Sequence, residues 1–245
     1  MISADPLEGQ PSATPKAVPP CDCRVTINQA RPTRVGPRAI DHHICGTYPD
    51  LLARVESSND LRLQLEQIVT GTSWLMRALE AVRSVGLPDW YLAAGAIRNT
   101  VWDALHGLPS PGPLGDLDVI YFDQTDMADG AQEALCAALP AYRWEVTNQA
   151  TVHSWQSAAT GREIAPYASI AAAVASWPET ATAVGVRLTL GGELEILAPF
   201  GLEDLFSMLV RRNGEASDPL AFDARWREKA WQLRWPRLRR AGAAG

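Results

Sequence analysis

Ala94-Gly95-Ala96-Ile97-Arg98-Asn99, followed some twenty residues on by Asp116-Leu117-Asp118-Val119-Ile120, is the stretch that decides the fold. Trp90–Ala93 before it is a short strand candidate, and Ala96–His106 is an apolar-rich helix closed by Gly107. Residues two apart on a strand point to the same face, so Asp116 and Asp118 present paired carboxylates side by side. Two close carboxylates repel unless a cation lies between them. Oxygen-only ligands at the end of a strand suit Mg²⁺ (or Mn²⁺), which keeps waters and takes its remaining ligands from phosphates. Gly95 lets the backbone approach a ligand closely, and the helix beginning near Ala96 points its free N–H groups outward, which makes a phosphate seat. Arg98, one turn in, either adds a charge-assisted contact to a phosphate or snorkels from the helix surface.

Outward from this stretch, helix and strand alternate. Asn59-Asp60 is placed to cap Leu61–Val69, and Thr72-Ser73 to cap a second helix with Leu75, Ala78, Leu79, Val82 and Val85 on one stripe. Gly86 and Pro88 end it. Downstream come a loop rich in proline and glycine (Leu108–Gly115) and the strand Leu117–Phe122. A helix around Gln132–Leu139 stops at Pro140, Arg143–Val146 begins another strand, and Ile170–Ser176 is helical. Val184, Val186 and Leu188 alternate, as do Leu194 and Ile196, around Gly191-Gly192, so this segment is a hairpin. Both apolar sets share a face when the loop has an odd residue count, which sets Arg187 opposite Glu195. Leu202–Leu209 reads as a final core helix. The class is α/β (α+β), a mixed β-sheet flanked by helices.

Several function classes fall away on composition. The 245-residue chain carries a net charge of −6, so its overall charge does not announce a nucleic-acid binder. That charge is uneven. From Ala224 to Ala241 seven arginines and lysines face Glu228 alone, so a basic arm (224–245) follows an acidic body. The first twenty residues lack an apolar signal-peptide core, and the longest mostly apolar stretch, Ala165 to Trp177, is too short to span a bilayer. A cytoplasmic protein with no membrane partner and no DNA partner is expected. Eight of the eighteen prolines fall between Pro6 and Pro49, while all nine tryptophans lie at Trp74 or later. Residues 1–48 are therefore expected to be a disordered extension ahead of a domain over 49–245. Within that extension Cys21, Cys23, His42, His43 and Cys45 form either a zinc ligand set or a chance cluster, since Cys-x-Cys lacks the usual two-residue knuckle.

The glycine turn and Asp-x-Asp in AAGAIRNTVWDALHG…DLDVIYFD resemble the signature of the polymerase-β-like nucleotidyltransferase superfamily. They are similar to the glycine-Arg-Asp block of tRNA CCA-adding enzymes. WYLAAGAIRNTVWDALHG, DLDVIYFD, VTNQATVHSW, WPETATAVGVRL, APFGLEDLF and KAWQLRWP together resemble a bacterial nucleotidyltransferase-like family, over about Leu51 to Leu238. The resemblance implies a minimal nucleotidyltransferase fold in which Asp116 and Asp118 hold metal ions. A third carboxylate on a later strand then helps activate an acceptor hydroxyl, which attacks the α-phosphate of a nucleoside triphosphate as pyrophosphate leaves. Where the superfamily has Gly-Gly or Gly-Ser this chain has Gly95-Ala96, which removes a hydroxyl contact. Glu145 and Glu195 both fit the third position. Glu195 has a ready alternative as the cross-strand partner of Arg187, so Glu145 is preferred.

Asn148 and Gln149 follow that strand, where their amides read a base or ribose, or else satisfy backbone groups at the strand end. His153 is a general-base candidate that this chemistry does not require. His106 reads as a helix C-terminal residue, Asp103 as a surface charge, and Trp155 and Tyr167 as core residues, with stacking on a base as the alternative. In the basic arm Trp226, Trp231 and Trp235 alternate with arginines, either gripping RNA or docking the arm on the core, and their spacing favours docking. The expected function is metal-dependent transfer of a nucleoside monophosphate to a hydroxyl on a small molecule, a protein or RNA. The large helical RNA-binding region of CCA-adding enzymes is not expected among these residues, so a small molecule or a protein side chain is as fitting an acceptor as RNA. The rival is a catalytically degenerate nucleotide-binding or regulatory module of the same fold.

Overall fold

The computed structural model describes residues 48–125, 130–161, 163–214 and 218–242. Cys21, Cys23, His42, His43 and Cys45 lie outside the described residues, as do residues 1–47 of the expected extension.

Two helices open the described chain. α1 (Tyr48–Gly71) passes straight through Asn59-Asp60, which are not the cap the sequence suggested. An Asn or Asp inside a helix costs only tenths of a kcal/mol, and Leu65 and Val69 bury themselves on the same helix. α2 (Ser73–Val85) buries the expected stripe of Leu75, Ala78, Leu79 and Val82, and Gly86 closes it at φ 76°. Thr72 stands at its N-terminus without capping it, because the Thr72 hydroxyl donates to the Ile68 carbonyl at 2.7 Å and ties off α1 instead.

β1 (Tyr91–Ala93), α3 (Gly95–Leu105), β2 (Leu117–Tyr121), α4 (Ala131–Ala138) and β3 (Trp144–Asn148) follow. Then come α5 (Val152–Thr160), α6 (Ile170–Val174) and the hairpin β4 (Gly185–Leu188) with β5 (Leu194–Leu197). The five strands form one mixed sheet in the order β3-β2-β1-β4-β5, in which β2 and β3 are parallel and the other neighbours antiparallel. The hairpin register pairs Arg187 with Glu195 as expected. At Gly185 a side chain would be crowded, since a Cβ there would sit 3.0 Å from the Tyr91 Cβ across the strands.

Strand alternation divides the core. Leu92, Leu117 and Val119 turn to the larger cluster under the helices, with Leu75, Leu79, Val101 and Trp102. Tyr91, Ala93 and Ile120 turn to the opposite face, where α6 lays Ile170 and Val174 over them. Asp118 lies on that second face, between Leu117 and Val119. Along the outer side of β3 the Val146 N–H donates to Gln132 Oε1 of α4 at 3.1 Å.

The C-terminal region differs from expectation. The helix expected over Leu202–Leu209 is only α7 (Glu203–Phe206), because Met208 takes φ 53° and Leu209–Val210 becomes a strand, β6. α8 (Pro219–Lys229) starts on Asp218, whose carboxylate accepts from the N–H groups of Leu220 and Ala221, with Pro219 at the first position. A 3₁₀ turn over Trp231–Leu233 leads to β7 (Arg239–Arg240), parallel to β6. The tryptophans dock the arm. Trp231 and Trp235 pack edge-on to Trp102 with ring centroids 5.9 and 5.2 Å away. Asp103 is no surface charge. It is 1% exposed and accepts both Arg234 Nε and Nη2, at 2.9 and 3.0 Å, and Trp235 Nε1 at 2.8 Å. A periodicity reading of α3 cannot find that partner, which lies 131 residues away. Trp155 differs the other way: it is 43% exposed rather than core.

Candidate functional site

The turn from β1 into α3 builds the first wall of the site. Ala94 takes φ 53°, ψ −121°, so the conformation that favours glycine falls here rather than at Gly95. Its N–H is fixed to the Val184 carbonyl at 3.0 Å. A non-glycine residue held in such a region costs about 1–3 kcal/mol. Ala94→Gly is therefore expected to stabilise the fold by about 1 kcal/mol, part of the relief being offset by a more flexible unfolded chain. Urea unfolding measures it, and a destabilised variant would mean that the Ala94 methyl makes a contact that outweighs the strain. Immediately after, the Gly95 N–H lies close enough to the Asp118 carboxylate to favour its charged form. Ala96 and Ile97 carry the next N–H groups of the helix start, which have no partner within the helix.

The carboxylates form the second wall. β2 and β3 run parallel in a register that sets Asp118 directly beside Glu145, and on the other side Asp118 pairs with Ala93. Burial, with the Glu145 charge next to it, pushes Asp118 up to about 7, against the pull of Arg98 and the Gly95 N–H. Burial and the Asp116 charge also raise Glu145, while Arg143 lowers it. Asp116 precedes β2, and Arg143 Nε stands 2.8 Å from its Oδ1. That oxygen is shielded from solvent yet receives no hydrogen bond of acceptable geometry. The donor set is carboxylate oxygen throughout, which matches a hard divalent cation, and Asp116 Oδ1 is a buried acceptor still lacking a proper partner. Among the described residues no three His, Cys, Asp or Glu side chains converge into a ready-made ion site, Asp116 being turned toward Arg143. The donor atoms suit a hard cation by their chemistry, and Asp116 would have to leave Arg143 to join Asp118 and Glu145 around one.

The other expected residues divide. Arg98 is buried rather than snorkelling: Nη1 donates to Thr182 Oγ1 at 2.7 Å, and Nε and Nη2 reach Asn99 Oδ1. Its guanidinium lies 5.1 and 4.5 Å from the ring centroids of Trp102 and Trp231, and burial lowers its pKa to about 10. It still borders the turn, since a Cβ on Gly95 would come within 3.9 Å of Nη2. Asn148 is buried and serves the backbone: Oδ1 accepts from the N–H of Asp123 and of Ala150, and Nδ2 donates to the Asp123 carbonyl. Gln149 is buried beside it, its N–H on the Tyr121 carbonyl. His153 Nδ1 lies 3.0 Å from the Ala150 carbonyl, and His106 Nδ1 lies 2.8 Å from that of Trp102, at the α3 C-terminus as expected. Glu195 is engaged elsewhere, taking a bidentate contact from Arg187 and a 2.6 Å hydrogen bond from the Tyr91 hydroxyl. The Tyr91 hydrogen bond, ahead of the Arg187 contact, holds Glu195 below its ordinary range.

Sequence reading missed two residues. Arg143 was placed only as the start of a strand, although its position two before Glu145 is a signal once Glu145 is suspected. Glu179 is fully buried, with Arg225 Nε on its Oε1 at 2.6 Å and Oε2 without a partner, and nothing in Trp177-Pro178-Glu179-Thr180 announces that burial. A cleft lined by Gly95, Ala96, Asn99, Ser110, Gly115 and Asp116 opens between the first turn of α3 and the loop before β2.

A nucleotidyltransferase family model matches residues 80–240, which holds the glycine turn, the Asp-x-Asp strand, Glu145 and the docked arm. The chain belongs to the nucleotidyltransferase family. Among solved structures this family member is similar to one described as a CCA-adding enzyme head domain, at 30% identity and a TM-score of 0.62. The match covers 74% of this chain and 96% of that one. It also matches the Bacillus stearothermophilus CCA-adding enzyme in complex with CTP, at 20% identity and a TM-score of 0.33, over 66% of this chain and 36% of that chain. No curated protein sequence matches it. Among the described residues no helix is long and apolar enough to cross a membrane.

Proposed function

We propose that the chain transfers a nucleoside monophosphate from a nucleoside triphosphate to a hydroxyl acceptor, with Mg²⁺ or Mn²⁺ held by Asp116, Asp118 and Glu145. The observation that carries this reading is the direct pairing of Asp118 with Glu145 across parallel strands, with the Gly95 N–H acting on Asp118 from the start of α3. Carboxylates and a helix N-terminus thus share one corner of the sheet.

The metal, when bound, supplies Lewis-acid polarisation of the α-phosphate and of the acceptor oxygen. The chain does the rest. The N–H groups at the start of α3 receive phosphate oxygens, and Arg98, fixed beside the turn, adds positive charge behind them without moving. The acceptor oxygen forms its bond to the α-phosphorus as the bond from that phosphorus to the bridging oxygen breaks, and pyrophosphate leaves with the electron pair. The acceptor proton passes to a Glu145 carboxylate oxygen that faces the acceptor rather than the ion.

The test titrates each of the four nucleoside triphosphates calorimetrically, with and without Mg²⁺, into wild type, Glu145→Gln and Glu195→Gln. Metal-dependent binding is expected to weaken about tenfold or more in Glu145→Gln, since losing even a ligand's supporting partner costs that much. Glu195→Gln, whose carboxylate is held by Arg187 and Tyr91, is expected to match wild type. Equal losses in both would remove Glu145 from the metal site. Binding without pyrophosphate release on any hydroxyl acceptor would make the chain a degenerate nucleotide-binding module.

A further inference from the structure

Among Asp116, Asp118 and Glu145, Asp116 is the carboxylate with a guanidinium in direct contact. Arg143 Nε stands 2.8 Å from Asp116 Oδ1, and that oxygen, hidden from water, has no hydrogen bond of good geometry. The guanidinium covers the oxygen more than it satisfies it. Arg143 is otherwise loosely held. Its side chain is 77% exposed. Its backbone is firm, the carbonyl accepting the Leu117 N–H at 2.7 Å, so the side chain swings from a fixed root at the mouth of the site. Two residues before Glu145, it acts on that carboxylate as well. Arg98, the other cation acting on these acids, is pinned by Thr182, Asn99 and two indole rings and cannot follow a ligand.

We propose that Arg143 is a stand-in cation, occupying the place on Asp116 that a divalent ion takes, and that on displacement it moves to the triphosphate that arrives with the ion. This rests on the metal-dependent reading above. One shielded oxygen cannot serve a guanidinium and a metal together, so one must leave. An exposed ion pair is weak enough to break readily. The freed guanidinium is a planar fork suited to phosphate oxygens, which lie close by once the start of α3 is filled. A bare ion must therefore displace Arg143 into water, whereas an ion bound with a triphosphate gives it a new partner. Arg143 thereby couples the two ligands and disfavours a metal held alone.

The test uses the full chain and a probe without a base. Mn²⁺ alone is titrated by electron paramagnetic resonance, and preformed Mn²⁺–tripolyphosphate by calorimetry, into wild type, Arg143→Gln, Arg143→Lys and Asp118→Asn. Arg143→Gln is expected to bind Mn²⁺ alone about tenfold tighter and Mn²⁺–tripolyphosphate about tenfold weaker, within the usual size of coupling between ligands. Arg143→Lys is expected to fall between. Opposite signs are what a merely structural role would not produce, and unchanged thermal unfolding confirms that each variant folds. Mn²⁺ binding that depends on Asp118 but is not tightened in Arg143→Gln overturns the stand-in role alone. Mn²⁺ binding indifferent to Asp118→Asn, or absent from both wild type and Arg143→Gln, overturns the carboxylate site and the stand-in role together.

Discussion

Asp118→Asn is expected to abolish metal-dependent triphosphate binding and to lower any transfer activity by about a hundred- to a thousandfold, the scale of losing a single preorganised transition-state contact. The fold should survive. Asparagine keeps an oxygen for the Gly95 N–H and fits the same space. Removing the charge also relieves the chain, because Asp118 is half-buried beside the Glu145 charge and its pKa is raised to about 7 from 3.8. A raised acid pKa stabilises the folded state fully below the unfolded value, and that stability is lost as pH rises through the folded value. Without metal, wild type should therefore lose on the order of a few kcal/mol between pH 4 and pH 8 that the variant does not lose. Thermal unfolding in a chelator checks this: Asp118→Asn should melt higher than wild type at pH 8, with the gap narrowing toward pH 5. Parallel curves would mean that Asp118 is ionised throughout and comfortably solvated.

The largest stability effect is expected at Trp102. The ring is completely buried, its Nε1 donates to the Leu205 carbonyl at 3.1 Å, and it packs on Trp231, Trp235 and the Arg98 guanidinium at once. Trp102→Ala leaves a cavity where α3, α7 and the arm meet, which costs about 3–5 kcal/mol. Denaturant unfolding should show it, together with a red-shifted fluorescence from the tryptophans that lose their packing. Trp155→Ala, at an exposed ring, serves as the control and should lie within about 0.5 kcal/mol of wild type. A cost under about 1 kcal/mol for Trp102→Ala would mean that the arm contributes little to holding α3.

Where neighbouring residues decide a conformation, the sequence was readable. Asp118 inside an apolar run marks a strand face, the stripe on α2 marks a buried helix, and Gly191-Gly192 marks the hairpin that sets Arg187 against Glu195. The preference for Glu145 rests on Arg187 as partner of Glu195, and Arg187 does hold Glu195, together with Tyr91, which the sequence does not suggest. What stayed hidden depends on distant partners. Asp103 finds Arg234 and Trp235 across 131 and 132 residues, and Arg98 finds Thr182 across 84. β6 and β7 hold two residues each, too few for any alternation to show, and exist because they pair with each other. The strained turn position fell at Ala94, since a backbone angle imposed by strand pairing and the Val184 contact leaves no compositional trace.

The amide of Gln132 on β3 has a meaning at the scale of many molecules. β3 is a border strand of the sheet, and a bare border is a template on which another chain's backbone can zip up into an extended sheet. By filling the Val146 N–H from its own neighbouring helix, the molecule closes that template next to Glu145. A second chain adding its backbone along β3 would have to break that hydrogen bond first, right beside Glu145.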